Sequence, residues 1–198
     1  MIVERVGQMS VEEYLDFVEQ SEDWYEYIDG KLHLMTSTKF NHNAIGHNLG
    51  LLLGIRLADT DCQVLSAGQG IRAGEDRYLI PDLSVVCGEP ELEDDSRILL
   101  NPTLVVEVTS PSSIDHDRVV KRDFYEAVES IQAYLVVDQH RMLVELYTRS
   151  ETGWHLQTFG EPAAEVPLEA LACSLPLRDI YRRIEFEDQS SLSPREDA

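Results

Sequence analysis

Tyr78-Leu-Ile-Pro-Asp-Leu-Ser-Val-Val-Cys87 and Thr103-Leu-Val-Val-Glu-Val-Thr109 are two apolar runs of strand length, rich in β-branched residues. Each carries one carboxylate, Asp82 and Glu107, where a buried strand calls for hydrocarbon. A charge in a strand core costs roughly several kcal/mol unless it is paired or bound to a metal. Two such acids in neighbouring strands therefore point to a shared cation. Side chains alternate along a strand, so Asp82 shares a face with Ile80 and Ser84, and Glu107 with Val105 and Thr109. Pairing the two strands brings both acids to one edge. A Pro81-Asp82 turn that merely opens a strand explains Asp82 as well; Glu107, bracketed by Leu104, Val105, Val106 and Val108, then needs a buried cationic partner.

Outward from these runs, the pattern alternates between helix and strand. Ser10-Val-Glu-Glu13 has capping-box spacing, and Val11, Tyr14, Leu15 and Val18 recur at helical intervals, which predicts a helix over 10–19. Trp24–Ile28 and Lys31–Met35 flank Asp29-Gly30, a strong hairpin signal. A second helix runs from Asn41, able to cap it, to about Asp59, with His42 on the same side as Ile45 and Leu49 and His47 facing solvent. Strands follow at Cys62–Ser66, with a continuation through Ile71, at Tyr78–Cys87 and at Thr103–Thr109. Next come a helix from about Asp115 to Glu129, a strand at Ala133–Val137, two more at Met142–Thr148 and Trp154–Phe159, and a short helix at Leu177–Arg183. The order helix, three strands, helix, strand describes an α/β sandwich with a mixed sheet. A single domain is expected over 1–184, divided into an N-terminal helix and hairpin (10–40), a core (41–138) and C-terminal strands with a short helix (139–184). The acidic tail 185–198 is expected to be disordered.

On the third helix Asp117, Lys121 and Tyr125 fall at intervals of four and line one face. Taken alone, Asp117 and Lys121 read as a surface ion pair. Lysine is scarce, however, occurring only as Lys31, Lys39 and Lys121, and the one after the acidic strands is the one that phosphodiester hydrolysis needs. Its ammonium can orient a nucleophilic water or stabilise charge on phosphorus, and Tyr125 can donate to a phosphate oxygen. Magnesium accepts a few carboxylate oxygens together with waters and substrate phosphate, so Asp82 and Glu107 suffice as metal ligands. His42 reads either as a helix-start histidine satisfied by backbone or water, or as part of this site.

Composition bounds these readings. A length of 198 residues with 43% hydrophobic content supports one core. Leu49–Ile55, interrupted by Arg56, is far shorter than the roughly 18 residues of a membrane span. Met1-Ile-Val-Glu-Arg-Val lacks the form of a signal peptide, so residence in the cytoplasm is expected. Cys62, Cys87 and Cys173 are odd in number and widely spaced, and are expected to be packing residues rather than a disulfide or zinc knuckle. The net charge of −21 opposes nucleic-acid binding, although part of it lies in Glu89–Asp95 and the tail, and a bound cation reverses the local sign at an acidic site. High carboxylate and low lysine content also suit a salty cytoplasm.

Tyr25-Glu-Tyr-Ile-Asp-Gly-Lys-Leu32, Asn41-His-Asn-Ala-Ile45, Pro81-Asp-Leu-Ser-Val-Val86, Leu104-Val-Val-Glu-Val-Thr-Ser-Pro-Ser112, Asp117-x-x-x-Lys121-x-x-x-Tyr125 and Ala133-Tyr-Leu-Val-Val-Asp138 occur in that order. In this the chain, from about Ser10 to Arg183, resembles the Uma-two family, described as "putative restriction endonucleases", within the PD-(D/E)xK nuclease superfamily. The resemblance implies a restriction endonuclease-like core, with Asp82 and Glu107 binding Mg2+ or Mn2+ and Lys121 as the catalytic lysine. It also matches Glu26 to the family's hairpin acid and His42 to its helix-start histidine. DNA is the implied substrate, and a homodimer the simplest means of cutting both strands. Thr109 stands where the superfamily's E-x-K motif has lysine, so Lys121 has to reach in from the helix. If it cannot, the chain is instead a catalytically inactive binding or assembly module.

Overall fold

Ser10 opens the first helix by the mechanism its spacing predicts. Its hydroxyl accepts from the Glu13 amide while the Glu13 carboxylate accepts from the Ser10 amide, starting α1 (Val11–Glu19). The computed structural model describes residues 8–35, 37–93, 97–109 and 120–186. Asp29 and Gly30, at φ 49° and 86°, turn β1 (Tyr25–Ile28) into β2 (Lys31–Leu34), as a tight hairpin requires. The helix α2 (Phe40–Arg56) buries Ile45, Leu49 and Leu53. Lys39 takes its N-cap position, and Asn41 lies inside the first turn instead of capping it. The Asn41 amide donates to the Gln139 and Glu185 carbonyls, at 3.4 and 2.9 Å.

Among the described residues, most strands gather into two sheets. The main sheet joins β3 (Cys62–Ser66), β6 (Leu83–Cys87), β9 (Leu104–Thr109), β10 (Ala133–Asp138), β11 (Val144–Ser150) and β12 (Gly153–Phe159) in the spatial order β12-β11-β10-β9-β6-β3. Its β9 and β10 run parallel and its other pairs antiparallel, giving the expected mixed sheet. The second sheet joins the hairpin to β4 (Gly70–Arg72), β5 (Arg77–Leu79), β7 (Leu92–Glu93) and β8 (Ile98–Leu99), in the order β2-β1-β5-β4-β8-β7. A small ribbon, β13 (Glu165–Leu168) with β14 (Cys173–Pro176), precedes α4 (Leu177–Ile180). One face of the main sheet packs Leu83, Val85, Leu104 and Val106 against α2 and the C-terminal elements. On the other face, Val86, Val105, Tyr134 and Val136 meet Ile71, Leu79 and Leu99 of the second sheet and Tyr125 of α3 (Arg122–Glu126). A third cluster stacks Tyr14 of α1 on Tyr27 and sets it at a tilt against Tyr78, across the far side of the second sheet.

Several expectations are corrected by this arrangement. Tyr78–Cys87 is not one strand: the chain leaves the second sheet after Leu79 and enters the main sheet at Leu83. Pro81 has no N–H to give a ladder, and the Ile80 amide is taken by the Glu26 carboxylate at 3.1 Å. The run from Cys62 to Ile71 divides between sheets in the same way. Cys62 and Cys87 are not separate packing residues; they lie opposite each other in the β3–β6 register and form a disulfide across 25 positions of sequence. Cys173 is the free cysteine. The third helix ends at Glu126, short of Glu129, because the Arg149 guanidinium takes the Glu126, Val128 and Ile131 carbonyls at 2.9, 2.8 and 2.6 Å. Its expected start near Asp115, Asp117 included, lies outside the described residues. The last helix is likewise shorter, and the strands β7, β8, β13 and β14 were not foreseen. Of the tail, Glu185 and Phe186 are placed, with Phe186 against Tyr181, while 187–198 lie outside the described residues.

Candidate active site

The break at Ile80-Pro81 sets Asp82 at the threshold of β6, one residue before Leu83 pairs with Val106. The antiparallel register carried one step further puts Asp82 abreast of Glu107. The backbone holds it there, because the Val108 amide donates to Asp82 Oδ2 at 2.7 Å. His42, reaching down from α2, places Nε2 3.2 Å from the same oxygen. Both contacts fall on Oδ2, so among the described residues Oδ1 takes none. This pair is the more accessible part of the site, with side-chain exposures of 12% for His42 and 19% for Asp82.

Glu107 alternates to the opposite face of β9 from Val106 and enters the layer between the sheets, where it is 5% exposed. Two donors converge on its Oε1: Lys121 Nζ at 3.0 Å and the Tyr125 hydroxyl at 2.6 Å. Lys121 also reaches Glu26 Oε1 at 2.8 Å, so one buried ammonium bridges two buried carboxylates. Glu26 in turn holds the Ile80 amide beside Pro81. The three charged groups of the bridge sum to one negative charge, and the loss of its cation would leave two carboxylates facing each other in a dry layer. Burial first, and then the Glu107 charge, hold the Tyr125 hydroxyl well above the ordinary phenol range, so it stays a donor.

These contacts refine the expected roles. Lys121 reaches Glu107 from the following helix, so the absence of lysine at Thr109 leaves no gap in the charge pattern. Tyr125, expected to face a phosphate, is fully buried with its proton committed to Glu107, which makes it a positioning residue. Asp82, at the entrance to β6, and Glu107, on the neighbouring β9, supply hard oxygens, and Mg2+ needs only one or two carboxylates besides water and phosphate. With one Asp82 oxygen uncommitted, the donor set fits such an ion. Among the described residues, no three His, Cys, Asp or Glu side chains form a ready-made cage.

Sequence reasoning did not single out Gln139. Its amide donates to the Thr109 carbonyl at 3.1 Å, which fixes its orientation; among the described residues neither Gln139 Oε1 nor Thr109 Oγ1, both buried, has a partner. Each such atom costs about 1–3 kcal/mol unless a water or substrate group satisfies it. The available signal was a polar pair, Asp138-Gln139, at the end of an otherwise apolar strand. Beside Asp82 a cleft of about 320 Å³ runs along α2, with His42, Gly46 and Gly50 on one wall and Ala67 and Leu83 on the other.

A mixed sheet between helical and β layers, with paired acids on neighbouring strands and a lysine on the next helix, defines a nuclease-like fold. The chain belongs to the Uma2 family, described as "putative restriction endonuclease", which it matches over residues 11–178. Among solved structures it is similar to one described as a "putative nuclease belonging to DUF820" from Anabaena variabilis, with a TM-score of 0.71 and 21% identity, covering 87% of this chain and 97% of that one. Two relatives from Synechocystis, the "uncharacterized" proteins slr1290 and sll1609, are each 30% identical. They cover 90% and 82% of this chain, and 94% of their own lengths.

Proposed function

We propose that this protein is a metal-dependent endonuclease that hydrolyses DNA phosphodiester bonds. The observation that carries the reading is the Lys121 ammonium 3.0 Å from Glu107, on the strand beside Asp82. Asp82 and Glu107 would hold Mg2+ or Mn2+, which when bound supplies Lewis-acid activation of the phosphate and of an attacking water. Lys121 keeps a fixed positive charge where negative charge develops on phosphorus. Tyr125 and Glu26 hold Glu107 and Lys121 in place, and the Val108 amide and His42 hold Asp82. Two copies acting together would cut both strands of a duplex.

Incubation with supercoiled plasmid and Mg2+ or Mn2+ is the direct test. Wild type nicks or linearises the plasmid, whereas Asp82→Asn, which keeps an acceptor for the Val108 amide, loses at least about 100-fold in rate, as expected for removal of a metal ligand. Equal cutting by both proteins would refute the assignment. One observation favours a second reading, a nuclease fold kept as a binding module: Lys121 bridges Glu26 and Glu107 and so already compensates the acids. Calorimetry separates the two, since the module binds no Mn2+ and the nuclease does.

A further inference from the structure

Along α2, His42, Gly46 and Gly50 follow one another at intervals of four, so the line that begins at the Asp82 partner carries no side chain for its next two turns. Glycine weakens a helix interior relative to alanine. Yet a β-carbon added at Gly46 would meet nothing within 4 Å, and one at Gly50 would make only an ordinary contact with Leu83 at 3.5 Å. The space these glycines leave is the cleft of about 320 Å³ beside Asp82, closed on its other side by Ala67 and Leu83. At its rim stands Trp24, 51% exposed, with the edge of its ring on Gly68, the residue after Ala67. A β-carbon at Gly68 would come within 2.8 Å of Trp24 Cη2, and φ there is +108°, so the glycine is what lets the indole sit against this wall.

We propose that the cleft receives an unpaired nucleobase of the strand lying on Asp82, and that Trp24 stacks on a neighbouring base. Among the described residues no lysine or arginine lines the cleft, so it is not built to hold phosphate, which calls for cations. Flat apolar walls with a few polar groups suit a base taken out of its stack. Asn43 supplies one such group: the Thr38 hydroxyl donates to its Oδ1 at 2.8 Å, which leaves its NH2 to meet an acceptor on a base edge. Charge favours the same occupant. The chain carries −21, yet the segments 30–58 and 62–74, which build most of these walls, contain no Asp or Glu, so a nucleic-acid strand meets least repulsion here. A regular duplex keeps its bases stacked inside and offers none to such a cleft. The substrate is therefore DNA with an unpaired nucleotide at the cut, as in a single strand, a bulge or a melted stretch of supercoiled DNA. The inference rests on the nuclease reading for the presence of a strand at Asp82, and narrows the substrate of that reading.

Fluorescence anisotropy with labelled oligonucleotides tests it, with Ca2+ present so that binding is read without cleavage. Wild type binds a single strand or a bulged duplex at least about tenfold more tightly than the fully paired duplex, because no base pair has to open. Trp24→Ala weakens single-strand binding about tenfold, within the range for loss of one stacked base, and leaves the paired duplex unaffected. Gly46→Leu places a side chain in the cleft while raising helix propensity, so its thermal melt does not fall and its preference for unpaired DNA is lost. In Trp154→Phe, which leaves Trp24 as the one tryptophan, single-stranded DNA quenches the emission and paired DNA does not. Equal binding of paired and unpaired DNA by wild type, or a preference that survives either Trp24→Ala or Gly46→Leu, overturns the proposal. The two readings fail separately. A Trp24-dependent preference in a protein that cuts no DNA refutes the nuclease reading alone, whereas cutting of paired duplex as fast as bulged duplex refutes the base site alone.

Discussion

At the scale of single residues the site is organised by one ammonium. Lys121 bridges Glu26 and Glu107, and Tyr125 adds the donor that keeps Glu107 oriented. Tyr125→Phe removes one hydrogen bond to a buried carboxylate and is expected to lower stability at neutral pH by about 1.5–3 kcal/mol. The pH dependence has a definite sign. The folded-state pKa of Tyr125 is raised by burial and by Glu107, so its contribution is complete below about 10, the unfolded value, and is lost as pH rises beyond that. Urea melts of wild type and Tyr125→Phe should therefore converge above that point, and curves that stay parallel up to strongly alkaline pH would show that the hydroxyl is not held as described. Asp82, Glu107 and Lys121 were legible because each breaks a pattern: an acid in an apolar run, or a rare lysine after one. The partner of Glu26 was not legible, since nothing in Tyr25-Glu-Tyr-Ile28 says that its acid reaches a lysine 95 positions away. Gln139 was hidden for the same reason, its contact being made across strands.

At the scale of elements, local rules read well and sheet membership did not. Ser10-x-x-Glu13 and Asp29-Gly30 act within a few residues and form as their spacing requires. The run Tyr78–Cys87 looked continuous because alternation persists through Pro81, while the break depends on a side chain from β1 that captures the Ile80 amide. Cys62 and Cys87 are separated by 25 positions, and only the β3–β6 register sets them face to face. Their bond ties the sheet's edge strand to the strand that Asp82 opens. A closed loop of that size is worth about 3.5 kcal/mol in the chain-entropy account, so Cys62→Ser/Cys87→Ser should unfold at correspondingly lower urea. The check is a thiol count in denaturant without reductant: one reactive thiol, from Cys173, is expected, and three would mean that the strands fold without the bond. Because such bonds persist in oxidising surroundings, the same count on freshly isolated protein bears on the compartment in which the chain works.

At the scale of the whole molecule, the dominant quantity is the charge of −21. The core layers are ordinary in composition, so the excess of carboxylates must be borne by the surface, where self-repulsion opposes compactness. Screening relieves that repulsion over distances longer than the Debye length, which falls from about 30 Å at 0.01 M salt to about 3 Å at 1 M. The buried Glu26–Lys121–Glu107 bridge lies out of reach of added ions and should be little affected. Thermal stability is thus expected to rise by several degrees between those salt concentrations in NaCl, and DNA binding measured with Ca2+ to fall steeply over the same range as counterions compete for phosphate. The opposite slopes are the signature: folding limited by like charges, and binding opposed by counterions that compete for phosphate. Melting temperatures that decline as NaCl is added would mean that surface ion pairs such as Arg72–Glu93 and Arg77–Asp29 outweigh the net repulsion. In that event the acidic surface would not be what limits the folded state, and its fit to a salty interior would lose its physical basis.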